Sequence, residues 1–380
     1  MIRVIQYNLL CPQLCSPEWF PHCKPEACNP EERWDKIELK IQGEIEDAIN
    51  KHQMLVFCFQ EVSQDWAGRL QKFFFPHFNF NFRLYGRQIN DYMGVAIAFS
   101  RIPDLELDLI DCKYVRVADE IPDISNSQQI VDNKGFLDNI GVWDLVNRIS
   151  YSDMAKNIKG YMPDWLLSET KKKEETERDH WNRAKSKWNS LLMFHLQQPS
   201  RNNYDTSKSF IIGTYHMPCD FTRPNVMTLH SYYSALTIQK WAHKQGVKNI
   251  IFAGDFNIKP DSPQYKAIIQ GKSGHNILGG FNPVVKDPGY DFFKPMISVY
   301  AAVSEDTKTE PKFTNYAQSE RSVNPFIATL DYIFLMGDWD IKEVRELPGQ
   351  DNPEEYFTTP LPTVTEPSDH LMLVATLEMF

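Results

Sequence analysis

Apolar residues follow two alternating rhythms along this chain, and their alternation predicts an α/β fold. Residues 3–10 (RVIQYNLL) gather β-branched and aromatic side chains in a short run closed by Cys11 and Pro12, as a buried strand does, which puts Asn8 near a strand end. Between Pro30 and Asn50 the period lengthens. Trp34, Ile37, Ile41, Ile45 and Ile49 recur every three or four residues, which predicts an amphipathic helix. Residues 54–62 (MLVFCFQEV) are apolar until Gln60 and Glu61, so a core strand ends on two polar side chains. A second helix is expected over 65–74, followed by Phe-rich extended segments and a strand at 93–100.

The rhythm breaks over about 102–182, where scattered prolines and the mixed charge run 171–179 (KKKEETERD) suggest an elaborated insertion with a solvated helix face. It then resumes, with strands expected at 188–196 and 210–216, a helix over 225–244 behind Pro224, and a strand at 249–255. A loop-rich stretch carrying Gly274, Gly279, Gly280, Pro283, Pro288 and Gly289 precedes strands at 330–336 and 371–377. No internal repeat of solenoid or propeller period is present.

Composition narrows this picture only in places. A length of 380 residues allows two or three domains. The 42% apolar and 24% charged fractions are those of a globular chain rather than a disordered or fibrous one. Residues 1–7 lack the order of a signal peptide, no apolar run is long enough to cross a bilayer, and no Asn-x-Ser/Thr acceptor occurs. An intracellular location, cytoplasmic or nuclear, and no membrane association are therefore expected. The net charge of −10 argues against a broad nucleic-acid footprint while leaving room for a local basic groove. Cys11, Cys15, Cys23 and Cys28 crowd beside His22 but lack a C-x2-C pair, so reduced thiols are expected rather than zinc. Cys58 and Cys219 are expected as buried thiols.

The chemistry concentrates at strand ends. GDFN (254–257) comes directly off an apolar strand. In an extended backbone Asp255 and Asn257, two residues apart, would point the same way and share one metal, water or phosphate. SDH (368–370) offers a hard oxygen on Asp369 and a proton carrier on His370. Glu61 closes a buried strand, as a magnesium ligand on a rigid element should, and Asn8 closes another. Taken singly, such residues cap turns or face solvent more often than they catalyse; it is the set and its order that carry meaning.

That order resembles the endonuclease/exonuclease/phosphatase superfamily, whose fold is similar to that of DNase I. The resemblance implies a four-layer α/β/β/α sandwich, two facing mixed β-sheets flanked by helices, in one domain over 1–380 with the insertion at about 102–182. TYHMP adds His216 and TLDYIF adds Asp331. KFTNYAQS (312–319), FIATLDYIF (326–334) and PLPTVTEPSDH (360–370) narrow the resemblance to the poly(A) deadenylase, nocturnin and angel branch. YNLLC, HMPCDFTRPNVM and NRAKSKWN (182–189) extend it over nearly the whole chain outside the insertion.

The resemblance implies one or two Mg2+ ions, for which Mn2+ could substitute, held by Glu61, Asn8, Asp255, Asn257 and Asp369. It implies a catalytic group of His370, Asp255, Asn257, His216 and Asp331. Asp331 would orient His370, His216 would meet the scissile phosphate, Asn257 would orient the attacking water, and either Asp255 or His370 would activate it. Phe326, Phe221 and Asn189 would bind substrate, the two rings by stacking on a base. The expected activity is metal-dependent hydrolysis of RNA from its 3′ end. The alternatives are a phosphatase or 2′-phosphodiesterase acting on a small nucleotide or 2′,5′-oligoadenylate, and an inert binding scaffold. The expected partner is an RNA or nucleotide phosphodiester; protein partners stay undefined.

Overall fold

A computed structural model describes residues 1–86, 93–123, 177–199, 208–271, 293–304, 309–320 and 322–380. The Lys171–Lys173 run and the glycines and prolines from Gly274 to Gly289 lie outside the described residues. Strands β1 (Ile2–Asn8), β2 (Met54–Gln60), β3 (Phe78–Tyr85), β4 (Met93–Ser100), β13 (Trp339–Val344) and β14 (Leu373–Met379) form one six-stranded sheet in the order β13-β14-β1-β2-β4-β3. A second sheet runs β5-β6-β7-β8-β12-β9, from β5 (Asp108–Arg116), β6 (Ser190–Gln197), β7 (Ser209–His216), β8 (Ile250–Asp255), β12 (Asp331–Met336) and β9 (Ile297–Ser298). Both sheets are mixed: β1 and β2 pair in parallel, as do β7 and β8, within otherwise antiparallel ladders. The expected two-sheet, helix-flanked architecture is the one observed.

The central strands β1, β2, β4, β6, β7, β8, β12 and β14 are buried on both faces, and their period of two decides which core each residue joins. Along β1, Ile2 and Val4 enter the core between the sheets, while Ile5 and Tyr7 pack under the helices of the first sheet. Those helices are α1 (Pro30–Asn50) and α2 (Gln64–Phe74), which supply Trp34, Ile37, Ile41, Trp66 and Leu70. On the outer face of the second sheet, α5 (Pro224–Lys244) and α6 (Pro263–Gln270) pack Leu236, Ile238 and Ile268 against Ile211, Tyr215 and Phe252. A short α3 (Val117–Glu120) and α4 (Glu177–Lys185) join the same layer. Short helices α7 (Val299–Val303) and α8 (Pro353–Phe357), two 3-10 turns at Pro12–Leu14 and Pro25–Cys28, and a two-stranded sheet of β10 (Asn315–Ala317) and β11 (Phe326–Ala328) complete the described elements. Among the described residues no helix is long and apolar enough to cross a membrane.

Local sequence explains the helix starts. Asn29 caps α1, its side chain accepting from the amides of Glu31 and Glu32, with Pro30 in the first turn. The apolar stripe of α1 departs from expectation at one end: Ile49 is exposed and Ala48 is buried in its place. Steps of four advance about 40° past a full turn, so Ile45 and Ile49 rotate off the face that Ile41 begins. Three further corrections concern expected elements. Trp188 is exposed and precedes β6, its ring carrying the Arg116 guanidinium 4.5 Å from its centroid. The start of the supposed insertion is integral to the fold, since β5 is an edge strand paired with β6. Cys219 is exposed, because it lies in the turn beyond β7 rather than on the strand. All seven cysteines are free; Cys15, Cys23 and Cys28 join Phe20 and Ala317 in a small satellite core without forming a three-ligand group.

Candidate active site

The ladder registers bring the expected residues together. Asn8 stands beside Gln60 across β1 and β2, His216 beside Asp255 across β7 and β8, and Asp255 opposite Asp331 across β8 and β12. Gly254 permits the close β7–β8 approach, for a Cβ there would lie 2.0 Å from the Tyr215 carbonyl oxygen. At three strand exits the chain turns through left-handed backbone: Leu10 (φ 55°), Glu61 (φ 55°) and Asn257 (φ 50°). Such residues cost roughly 1–3 kcal/mol each and collect where a fold aims side chains at a site. Glu61 thus lies one residue past β2 and turns back to meet Asn8. Asn257 is not extended as the two-residue spacing suggested. Its backbone N–H donates to Asp255 Oδ1 at 2.9 Å, and its Nδ2 donates to the Met217 carbonyl at 3.0 Å. Asp255 and Asn257 therefore make a tight turn in which the amide fastens the loop after β7.

A buried hydrogen-bond network fixes the carboxylates. Asn8 Nδ2 donates to Glu61 Oε1 at 3.1 Å and to Asp255 Oδ2 at 3.0 Å, while its Oδ1 accepts from the Leu10 amide. Asn8 thus presents a donor between two carboxylates, where the sequence suggested a metal-ligating oxygen. Glu61 Oε2 accepts from the Cys11 amide. Across the sheets, Gln6 Nε2 donates to Asp331 Oδ1 (2.9 Å) and Gln60 Oε1 (2.7 Å), and Gln60 donates to Thr214. Thr314 donates to Asp331 Oδ2, the oxygen 2.8 Å from His370 Nδ1. Asp331 is thereby placed against the His370 ring and fixes its orientation in the structure. Tyr85 Oη lies 2.8 Å from His216 Nδ1, holding the other ring nitrogen 3.6 Å from Asp255 Oδ2 and 4.0 Å from Glu61 Oε1.

Arg33 joins the two ends of this network. Only 1% exposed, it donates to the carbonyls of Leu9 (2.7 Å), Leu10 (2.5 Å) and Pro367 (2.6 Å) and stacks 4.9 Å from the Trp66 ring centroid. Ser368 adds a bond to the Asn8 carbonyl. The SDH turn is thereby fastened to the exit of β1.

Among the described residues, two sets of donor atoms lie within reach of a single cation: Glu61, His216 and Asp255, and Asp255, Asp331 and His370. Asp369 adds an oxygen, Oδ1, that is buried without a hydrogen-bond donor among the described residues, 3.9 Å from His370 Nε2. Asn315 holds the other oxygen of that carboxylate at 3.1 Å. An orphaned carboxylate oxygen facing further carboxylates fits a hard, oxygen-preferring divalent cation. Burial pushes Asp255 up to about 6, against the pull of His370 and His216. Burial likewise raises Asp369. For His370, burial acts downward, but Asp331, Asp369 and Asp255 together raise it well above the ordinary histidine value.

The expected base-binding rings are half-buried neighbours, Phe221 and Phe326 lying 6.3 Å apart at 47°, with Lys259 Nζ 5.4 Å from the Phe326 centroid. Asn189 donates to the His216 carbonyl at 2.8 Å, so it supports the end of β7. Sequence reasoning missed Gln6, Tyr85, Arg33, Thr314 and Asn315. Gln6 was detectable as a polar residue inside an apolar strand, and Thr314 and Asn315 sit within the KFTN string. Nothing local distinguishes Arg33 or Tyr85.

Comparison with known proteins bears on family and fold. The family model described as endonuclease/exonuclease/phosphatase matches residues 39–370. A Phaeosphaeria nodorum protein named as the Ccr4 3'-5'-exoribonuclease subunit of the CCR4-Not complex is 32% identical over 98% of this chain and 59% of its own length. A Mus musculus 2',5'-phosphodiesterase 12 is 31% identical over 34% of this chain and 19% of its own. The chain thus spans less than two thirds of these curated relatives. The structure of ANGEL2, a 2',3'-cyclic phosphatase, solved with adenosine-2',3'-vanadate, superposes with a TM-score of 0.63 at 17% identity, covering 100% of this chain and 95% of the other. With a family model matched across most of its length and the site residues converging at the strand ends, this chain belongs to the endonuclease/exonuclease/phosphatase family.

Proposed function

We propose that this chain is a divalent-metal-dependent phosphodiester hydrolase that shortens RNA from its 3′ end. The observation that carries the reading is the buried meeting of Glu61, Asp255, Asp369, His216 and His370 at one set of strand ends. Glu61, Asp255 and Asp369 would hold Mg2+ or Mn2+, which would supply Lewis-acid polarisation of the phosphoryl group. His370, kept protonated by its three carboxylate neighbours, is a poor base at neutral pH and a good donor to charge developing on the phosphoryl oxygens. With His370 in that role, Asp255 is the remaining candidate to accept the proton of the attacking water. His216 would bind the scissile phosphate from the opposite side, and Phe326 with Phe221 would stack a base.

The choice of a 3′ RNA end rests on similarity to the Ccr4 exoribonuclease over nearly the whole chain. A 2′,5′-linked or 2′,3′-cyclic substrate is the second reading, favoured by the names of the phosphodiesterase 12 and ANGEL2 relatives. Incubation with Mg2+ and end-labelled oligo(A), 2′,5′-oligoadenylate or adenosine 2′,3′-cyclic phosphate separates them, with Glu61→Ala as the control. A ladder shortening from the 3′ end of oligo(A), absent in the variant, is the expected result. Turnover of the small substrates alone would overturn the RNA reading.

A further inference from the structure

Asp220, four residues beyond His216, is nearly buried, with its side chain 6% exposed, and three cationic side chains converge on it. Lys187 Nζ lies 2.7 Å from Oδ2, Arg183 Nε 3.5 Å from the same oxygen, and Arg223 Nη1 3.4 Å from Oδ1. Arg183 is 51% exposed, and only its Nε reaches the carboxylate; among the described residues its two terminal nitrogens meet no acceptor. This concentration of positive charge stands out in a chain of net charge −10. It also stands in a specific place. Asn189, two residues after Lys187, holds the His216 carbonyl, and Phe221, next to Asp220, faces Phe326 with Lys259 behind it. Four residues reach at most about 14 Å, so the cations stay close to the strand ends. Alternating cations and aromatic rings leading away from a hydrolytic centre are the features that track a single-stranded nucleic acid.

We propose that Arg183 and Lys187, gathered on Asp220 with Arg223 on its other oxygen, form a second anion seat that holds the phosphate one nucleotide 5′ of the scissile linkage. This rests on the 3′-end reading above, in which no further phosphate follows the scissile one, so a neighbouring phosphate can only lie upstream. Asp220 keeps the Lys187 and Arg183 heads together before substrate arrives, and the free terminal nitrogens of Arg183 supply the planar donor pair suited to phosphate oxygens.

The test compares octaadenylate, which has an upstream phosphate, with the dinucleotide ApA, which has only the scissile one. In Arg183→Ala, kcat/KM on octaadenylate should fall about tenfold, mainly through KM, while turnover of ApA is unchanged. The slope of log KM against log salt should become shallower by about 0.7 for the lost contact, and Arg183→Lys should recover part of both effects. Equal losses on the two substrates would mark the cluster as a structural knot, and no loss on either would remove its role; each overturns the proposal. Failure of the unaltered protein to cleave either substrate would instead overturn the 3′-end reading, and the seat with it.

Discussion

The inner faces of the two sheets share one construction but differ from end to end. On β1, β2, β7 and β8 the side chains directed between the sheets begin apolar, at Ile2 and Val4, Val56 and Cys58, Phe210 and Ile212, and Ile251 and Ala253. They finish polar, at Gln6 and Asn8, Gln60, Thr214 and His216, and Asp255. The antiparallel β12 runs the other way, from Asp331 to Ile333 and Leu335. At the apolar end the sheets meet through aromatic edges, Phe99 on Phe194 with centroids 5.6 Å apart and Phe210 on Trp339 at 5.8 Å. At the polar end they meet through Asn8–Asp255 and Gln6–Asp331. Hydrophobic contact supplies stability at one end, and the other places desolvated charge where it costs stability and serves chemistry.

The sharpest way to break this division is to truncate each end and read both activity and stability. His370→Ala should lower turnover of the proposed oligo(A) substrate by roughly 10³-fold, within the range for loss of a positioned proton donor, with the loss measured on the protein that remains folded. Near-normal turnover would remove His370 from the proposed mechanism. Phe194→Ala should do the reverse, costing roughly 3–5 kcal/mol of unfolding free energy while the remaining folded fraction keeps its kcat. A matching loss of kcat would show that the two ends are not separable.

The third prediction concerns pH. Asp255 rises from 3.8 to about 6 on folding, so its neutral form favours the folded state. That stability is fully present below about pH 3.8 and is lost as pH rises through about 6, amounting to roughly 3 kcal/mol once complete. His370, also raised, contributes stability that is present below about 6.5 and is lost at still higher pH. In EDTA the protein should therefore be less stable at pH 8 than at pH 5, and Asp255→Asn should flatten most of that decline. Mg2+ should stabilise the unaltered protein at pH 8 more than the variant. Parallel pH profiles for the two proteins would contradict a buried, raised Asp255.

Much of this was legible in the sequence because strand ends announce themselves: an apolar run that stops at Asp255, Glu61 or Asn8 states both the element and the place where chemistry can stand. The two-sheet architecture came from the family resemblance, since periodicity alone does not say which strands pair. What stayed hidden depends on long-range geometry. The left-handed turn at Asn257 defeats a two-residue periodicity argument, and the donor role of Asn8 follows from which carboxylates surround it. Arg33 lies on a helix that looks amphipathic without it, and its three carbonyl partners are remote in sequence. Cys219 was misjudged because an apolar neighbourhood along the chain is not a buried position in space.

Arg33 also carries a consequence in time. It binds the carbonyl of Pro367 to those of Leu9 and Leu10, and β1 sits between β2 and β14 in its sheet. A nascent chain can therefore pair β1 with β2 early, yet Asp369 and His370 reach the site only after residues 367–379 have left the ribosome and docked. Contacts of such sequence separation close slowly. Until they close, the pocket around Glu61 and Asp255 lacks Asp369 and His370, and the candidate centre is incomplete.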